Sequence, residues 1–424
     1  MLNIYTEFFK SDAFVIAGKY LLILLPIALP LILIYTIWVV RFRWVTMKYV
    51  ESQKTCLLEI RLPKEITKSP AAMEIFFSYL AQSGAGNWTE AFLDGRTRPW
   101  FSCEIVSTGG QVRFFVWCSQ AKFRNIVEAQ LYAQYPNLEI FEADDYTKDF
   151  FYDPEKYGMS GVQYALTKPD PYPIKTYLDY GLDKDQKEEY KIDPITSVIE
   201  YLGSLKAGEN AWIQILIQKH EKEGVFHGKL GKPKDLKSEV DEQIKKIKKS
   251  TLPEGGDEKT MKFPNPTKGQ QEVISALERS ATKTPYDCMI RSLYIAEKAS
   301  FTPINIGGLI GGLKQYGSAN LNGFKPAITA DVSGSYHDWA RILPFLEKGK
   351  NEKISRIKKD LLHAYKLRSY FQWPYKNYGK TKPFVLTTEE LATIFHFPSG
   401  MVSQTPTLKR VGSKKSEAPS NLPV

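Results

Sequence analysis

The chain has 424 residues, of which 25% are charged and 43% hydrophobic, and a net charge of +10 at neutral pH. That is the profile of a globular protein, and the moderate positive charge allows contact with nucleic acid or anionic lipid without selecting either. The four cysteines, Cys56, Cys103, Cys118 and Cys288, have no C-x-x-C spacing, and five scattered histidines leave no metal-ligand cluster, so no zinc signature is present.

Residues 1–19 precede the most distinctive stretch, Tyr20 to Val40, YLLILLPIALPLILIYTIWVV, whose 21 residues carry no charge. As a helix it spans about 31 Å, the thickness of a bilayer's hydrocarbon core. Pro26 and Pro30 lie inside it, which a transmembrane helix tolerates. A cleaved signal peptide fits poorly: the run is too long, follows Glu7 and Asp12, and lacks a small-residue cleavage site. Arg41, Arg43 and Lys48 follow the run, against Lys10 and Lys19 before it. By the positive-inside rule the body of the chain faces the cytoplasm, a reducing compartment that suits cysteines placed in apolar strands.

Residues 41–150 read as one α+β unit. TCLLEIRL (55–62) alternates as a strand, and Ser69-Pro70 opens a helix with Met73, Phe76, Phe77 and Leu80 on one face. Phe101, Cys103 and Ile105 mark a second strand, and Val112, Phe114, Val116 and Cys118 a third, joined by a Gly109-Gly110 hairpin turn. Gln120 to Tyr135 forms a helix, and Leu138 and Ile140 a last strand. The order is βαββαβ, the ferredoxin-like arrangement of two helices on one face of an antiparallel sheet.

Residues 151–330 repeat it. Tyr164 to Tyr177 is extended but broken by prolines, at best an edge strand. Asp193-Pro194 caps a helix with Ile195, Val198, Ile199 and Leu202 inward. AWIQILIQ (211–218) and CMIRSLYIA (288–296) are strands, Thr302-Pro303 opens a helix, and Phe324 to Thr329 closes the sheet. An insertion at 224–285, dense in lysine, predicts a helical excursion on the surface. Its Lys245, Lys246, Lys248 and Lys249 are candidate contacts to DNA phosphates or lipid headgroups.

Residues 331–398 predict a small helical part. Ile354 to Tyr370 carries Arg356, Lys358, Lys359, Lys366 and Arg368, of which Arg356, Lys358, Lys359 and Arg368 join the candidate DNA or lipid contacts. Thr387 and Glu390 form a capping box at the next helix. The tail, 399–424, is polar and proline-spaced. Thr405, Pro406, Leu408, Pro419, Leu422 and Pro423 are its candidate partner-docking residues, since such segments commonly order on binding.

No catalytic chemistry is visible, and neither cofactor nor metal is expected. GVFHGKL (224–230) has the wrong glycine spacing for a P-loop and Leu230 in place of the magnesium-holding hydroxyl. The glycines of GGLIGGLKQYG (307–317) sit in a helix, and the pairs Asp144-Asp145 and Glu389-Glu390 read as caps.

RLPKEITKSPAAMEIFFSYL (61–80), WFSCEIVSTGG (100–110), VEAQLYAQYPNLEI (127–140), GGLIGGLKQYGSANLNGFKP (307–326) and KPFVLTTEELATIFHFPSG (382–400) resemble one bacterial family, as do TPTLKR and SEAPSNLPV in the tail. It is the membrane-anchored N-terminal region of type IV secretion-like conjugative DNA-transfer ATPases, of the HerA/FtsK-type superfamily, in candidate phyla radiation bacteria. In that family the tail leads into a P-loop ATPase domain, which is not within these 424 residues. The resemblance implies a non-enzymatic platform at the cytoplasmic membrane that docks a separate P-loop ATPase, with homo-oligomerisation a further expectation. The alternative is a membrane-tethered, sequence-nonspecific DNA-binding module.

Overall fold

A computed structural model describes residues 12–63, 66, 68–81, 88–148, 150–184, 192–221, 235–250, 265–329, 344–378 and 381–398. The chain is a mixed α/β protein with an N-terminal apolar helix and an antiparallel sheet. The described residues fall into two compact units, one within Met1–Ser52 and Ala85–Thr97, the other within Gln53–Gly84 and Arg98–Val424.

The first unit is built on helix α1 (Asp12–Ser52), which contains Pro26 and Pro30. Among the described residues it is the one helix long and apolar enough to cross a membrane. Its large side chains from Leu25 to Val40 lie exposed, Ile27 and Leu31 at 63%. The helix runs past the expected end at Val40 because RFRWVTMKYVES contains neither proline nor glycine to stop it. The short helix Trp88–Leu93 and the residues to Thr97 complete this unit.

The second unit holds the sheet. Strands β1 (Cys56–Arg61), β2 (Trp100–Thr108), β3 (Gln111–Cys118) and β4 (Glu139–Glu142) alternate with helices α2 (Ala71–Leu80) and α3 (Arg124–Gln134). Strands β5 (Tyr157–Leu166), β6 (Glu209–Lys219), β7 (Pro285–Glu297) and β8 (Phe324–Thr329) follow the same plan with helices α4 (Pro194–Gly203) and α5 (Ile304–Lys314). In space the strands run β4-β1-β3-β2-β6-β7-β5-β8, every pair antiparallel. The two predicted units are therefore halves of one sheet, joined where β2 pairs with β6 from Trp100↔Gln218 to Thr108↔Asn210.

Many of the local signals act as expected. Gly109 and Gly110, at φ 57° and 84°, turn the β2–β3 hairpin. Asp193 accepts from the Ile195 amide at the head of α4. Met73, Phe76, Phe77 and Leu80 of α2 are all buried. All four cysteines are free and buried in strands.

Two expectations need correction, at 164–177 and at 331–398. The extended segment proposed at 164–177 begins earlier, as β5, and is an interior strand between β7 and β8. Its prolines, Pro169, Pro171 and Pro173, lie beyond the strand end, and Gly158 and Gly161 mask its pattern. Those glycines are needed: a Cβ at Gly161 would stand 2.2 Å from Cδ2 of Leu361.

The insertion forms the helical excursion expected, and it is docked. Helices α6 (Leu236–Ser250) and α7 (Lys268–Ser280) pack Leu236, Val240 and Ile244 against Val273, Ile274, Leu277 and Val385. The glycine loop 224–230 lies outside the described residues.

The part 331–398 is not purely helical. After helix α8 (Pro344–Lys366), strand β9 (Phe384–Thr387) pairs with β7, and helix α9 (Thr388–Ile394) joins the main core.

The sheet has two unlike faces. Alternate residues such as Leu58, Cys103, Phe114, Ile215 and Ile290 enter one core with α2, α3, α4, α5 and α9. The intervening positions face the other way. There Trp212 meets Tyr365 of α8 at 5.5 Å between ring centroids.

Candidate functional site

The candidate contacts separate once placed. With Leu236, Val240 and Ile244 inward, α6 leaves Lys245, Lys246, Lys248 and Lys249 exposed. Lys246 makes an ion pair with Glu242 at 3.0 Å, one turn away. On α8, Arg356 and Lys359 are exposed and Lys358 is half-buried. Helix α8 lies on the second face, packed on Gly161 and Trp212, whereas α6 packs on α7 and Val385 of β9. Thr405, Pro406, Leu408, Pro419, Leu422 and Pro423 lie outside the described residues.

Arg368 is a correction: it contacts neither DNA nor lipid, being 1% exposed. Helix α8 has already ended at Lys366, and Arg368 turns the chain at φ 47°, which points its guanidinium under the sheet. There it grips Glu104 with Nε to Oε1 at 3.0 Å and Nη2 to Oε2 at 3.2 Å. Asp145 accepts from the same guanidinium, with Nη2 to Oδ1 at 3.1 Å. A forked guanidinium matches two carboxylates in this way and an ammonium does not.

Glu104 is the centre of a polar row across the sheet. Register places Glu104 beside Gln214, Gln214 beside Arg291, and Arg291 beside Gln163. Gln214 donates to Glu104 at 2.8 Å and accepts from Arg291 Nε at 2.6 Å. Ser102 and Tyr146 donate to Glu104 as well, at 2.7 and 2.8 Å. Arg291 Nη2 donates to the Ser369 carbonyl at 3.1 Å, while its Nη1 has no partner. Burial pushes Arg291 down to about 9. Burial alone would raise Asp145, but its bonds and charge contact with Arg368 hold it below the usual carboxylate range.

Glu389 and Glu390 do more than cap. Glu390 accepts from the Thr387 amide and hydroxyl, each at 2.8 Å, and from the Ile174 amide at 2.9 Å. Glu389 pairs with Arg279 at 3.0 Å and accepts from Thr176 at 2.7 Å. Both acids are buried, and burial pushes Glu390 up to about 7. These acids tie α7 and the 174–177 segment to α9. They act as tertiary anchors.

Two shallow depressions open on this unit. One, of about 360 Å³, is bordered by Cys56, Trp117, Asp144, Asp145 and Lys148. The other, of about 380 Å³, is bordered by Asp170, Glu239, Glu242 and Lys246, and burial pushes Asp170 up to about 6. Among the described residues no group of His, Cys, Asp or Glu could hold a metal ion.

Sequence reasoning missed the polar row, although a trace of it is visible. Glu104, Gln214 and Arg291 each interrupt an apolar strand at an even spacing from its neighbours on the second face.

A family model described as a domain of unknown function, DUF8128, matches residues 50–410. No curated protein matches the chain.

Proposed function

The chain belongs to that family of unknown function, and from this premise we propose that it is a non-enzymatic, single-pass membrane platform whose body lies in the cytoplasm. The observation that carries the reading is α1, whose large apolar side chains from Leu25 to Ile37 lie exposed. Exposed apolar surface on that scale needs an apolar solvent. The excess of Arg41, Arg43 and Lys48 after the run supports the cytoplasmic orientation.

Each half of the sheet is read as a ferredoxin-like unit. The βαββαβ order supports this, as do the spatial orders β4-β1-β3-β2 and, mirrored, β6-β7-β5-β8. A non-catalytic role is supported by how the charged groups are used: Arg368, Glu104, Asp145, Arg279 and Glu389 are spent on internal pairing. That the docked partner is a separate DNA-translocating ATPase of a type IV secretion-like system rests on the family resemblance of segments 61–80, 100–110 and 307–326.

Co-purification from gently solubilised native membranes tests the reading. A stoichiometric chain bearing G-x-x-x-x-G-K-[ST], lost when residues 399–424 are deleted, is the expected result. Recovery of this protein in the soluble fraction, or unchanged ATPase binding by the deleted form, overturns it.

A second reading, sequence-nonspecific DNA binding, is favoured by one observation. Lys245, Lys246, Lys248 and Lys249 are exposed together on α6. It predicts affinity that falls steeply with salt and is lost when Lys245, Lys246, Lys248 and Lys249 become glutamine. Flat salt dependence removes it.

A further inference from the structure

We propose that residues 88–97 form a collar on α1 that sits in the headgroup layer of an anionic bilayer, a second membrane contact beside the spanning helix. The ring of Phe92 lies 4.4 Å from that of Trp38 and under the Arg41 guanidinium at 5.1 Å. Three residues on, Gly95 backs onto the helix at Val45 so closely that a Cβ would stand 2.4 Å from the carbonyl oxygen. Its φ of +69° disfavours other residues on a second ground. Arg96 then pairs with Glu90 at 2.7 Å and bonds Tyr49. The segment therefore follows the helix from the level of residues 38–41 to that of 49, roughly 15 Å at 1.5 Å per residue.

That level begins where the uncharged run ends at Val40. The collar contributes Leu93, 58% exposed, and the helix contributes Trp44, 61% exposed, with Phe42 and Met47 beside it in sequence. Arg41, Arg43 and Lys48 are interleaved with them, and the Lys48 ammonium lies 5.2 Å from the Trp44 ring. Aromatic side chains among cations are the chemistry of a membrane-water boundary. Of the acids at this level, Glu90 is held by Arg96, leaving Asp94 and Glu51 against the basic residues. The occupant that fits is a lipid interface carrying negative headgroups, continuous with the apolar surface of α1.

This inference rests on the reading of α1 as a membrane anchor, and the test separates the two. The four native cysteines are buried, so single cysteines can be labelled selectively in the full chain. Nitroxides are placed at Ile34→Cys, Leu93→Cys and, on α3, Tyr132→Cys, and the protein is reconstituted into vesicles of phosphatidylethanolamine and phosphatidylglycerol. Collision rates with oxygen and with a water-soluble nickel chelate report depth. The expected result is a label at 34 in the hydrocarbon, one at 93 with an oxygen-to-nickel ratio several-fold above that at 132, and loss of that excess in Gly95→Val. A label at 93 as aqueous as that at 132, with the one at 34 still in lipid, overturns the collar and leaves the anchor. An aqueous label at 34 overturns both. A label at 93 that keeps its depth in Gly95→Val overturns the collar, because the seat on Val45 would not be what holds it.

Discussion

On one face of the sheet, Leu58, Cys103, Phe114, Ile215 and Ile290 meet five helices in an apolar core; on the other, Glu104, Gln214 and Arg291 form a polar row closed by Arg368 from beyond α8. The first face is filled largely by apolar volume, where neighbouring side chains of the right size substitute for one another. The second needs each partner, because a buried charge left alone costs more than the pair contributes. The same strands thus carry a tolerant face and an exacting one.

The largest effects break this contrast directly. Arg368→Met strands Glu104 and should cost about 3–5 kcal/mol in urea unfolding of the micelle-solubilised chain. Adding Glu104→Gln to it should recover part of that loss, a coupling expected only within a network. Phe76→Ala on the apolar face should also cost about 3–5 kcal/mol through the cavity it leaves. Combined with a distant core truncation, however, it should simply add. Additivity of the polar pair would remove the distinction between the faces.

The faces also differ in the sign of their pH dependence. Glu390, under α9 on the apolar face, is pushed by burial up to about 7, above its ordinary 4.5. Its protonated form is the one the fold favours, so this contribution is fully present below 4.5 and is lost as pH rises through 7, by about 3 kcal/mol at 1.36 kcal/mol per unit. Glu390→Gln should flatten that loss between pH 5 and 8. Asp145, on the polar face and held low by Arg368, contributes stability above its ordinary value of 3.8 that is lost as pH falls through its folded value. Asp145→Asn should reduce the acid sensitivity and leave the alkaline side unchanged.

The apolar face was legible in the sequence because its information is local. Met73, Phe76, Phe77 and Leu80 repeat at helical spacing, and Asp193-Pro194 states a helix start in two residues. The polar face was not, because its meaning is carried by pairs far apart: Arg368 and Glu104 lie 264 positions from each other. A cation near a helix end reads as surface until its carboxylate is known. Strand β5 failed for another reason, since Gly158 and Gly161 remove the side chains that would mark alternation and exist to admit Phe301 and Leu361. Gly161→Ala should therefore cost about 1–3 kcal/mol by forcing Leu361 and Leu293 aside.

The smallest expected effect bounds the comparison from outside. Lys246 and Glu242 form an ion pair one helical turn apart on α6, with both side chains at least half exposed. Water and salt screen such a pair, and Lys246→Ala should change stability by less than about 0.5 kcal/mol. The same substitution, with Lys245, Lys248 and Lys249 changed alongside it, should abolish binding to short duplex DNA if α6 is a phosphate contact, and leave the unfolding midpoint in place. A large shift in that midpoint would mean that the outer surface of α6 is structural, as Arg368 proved to be, and the DNA reading would lose its residues.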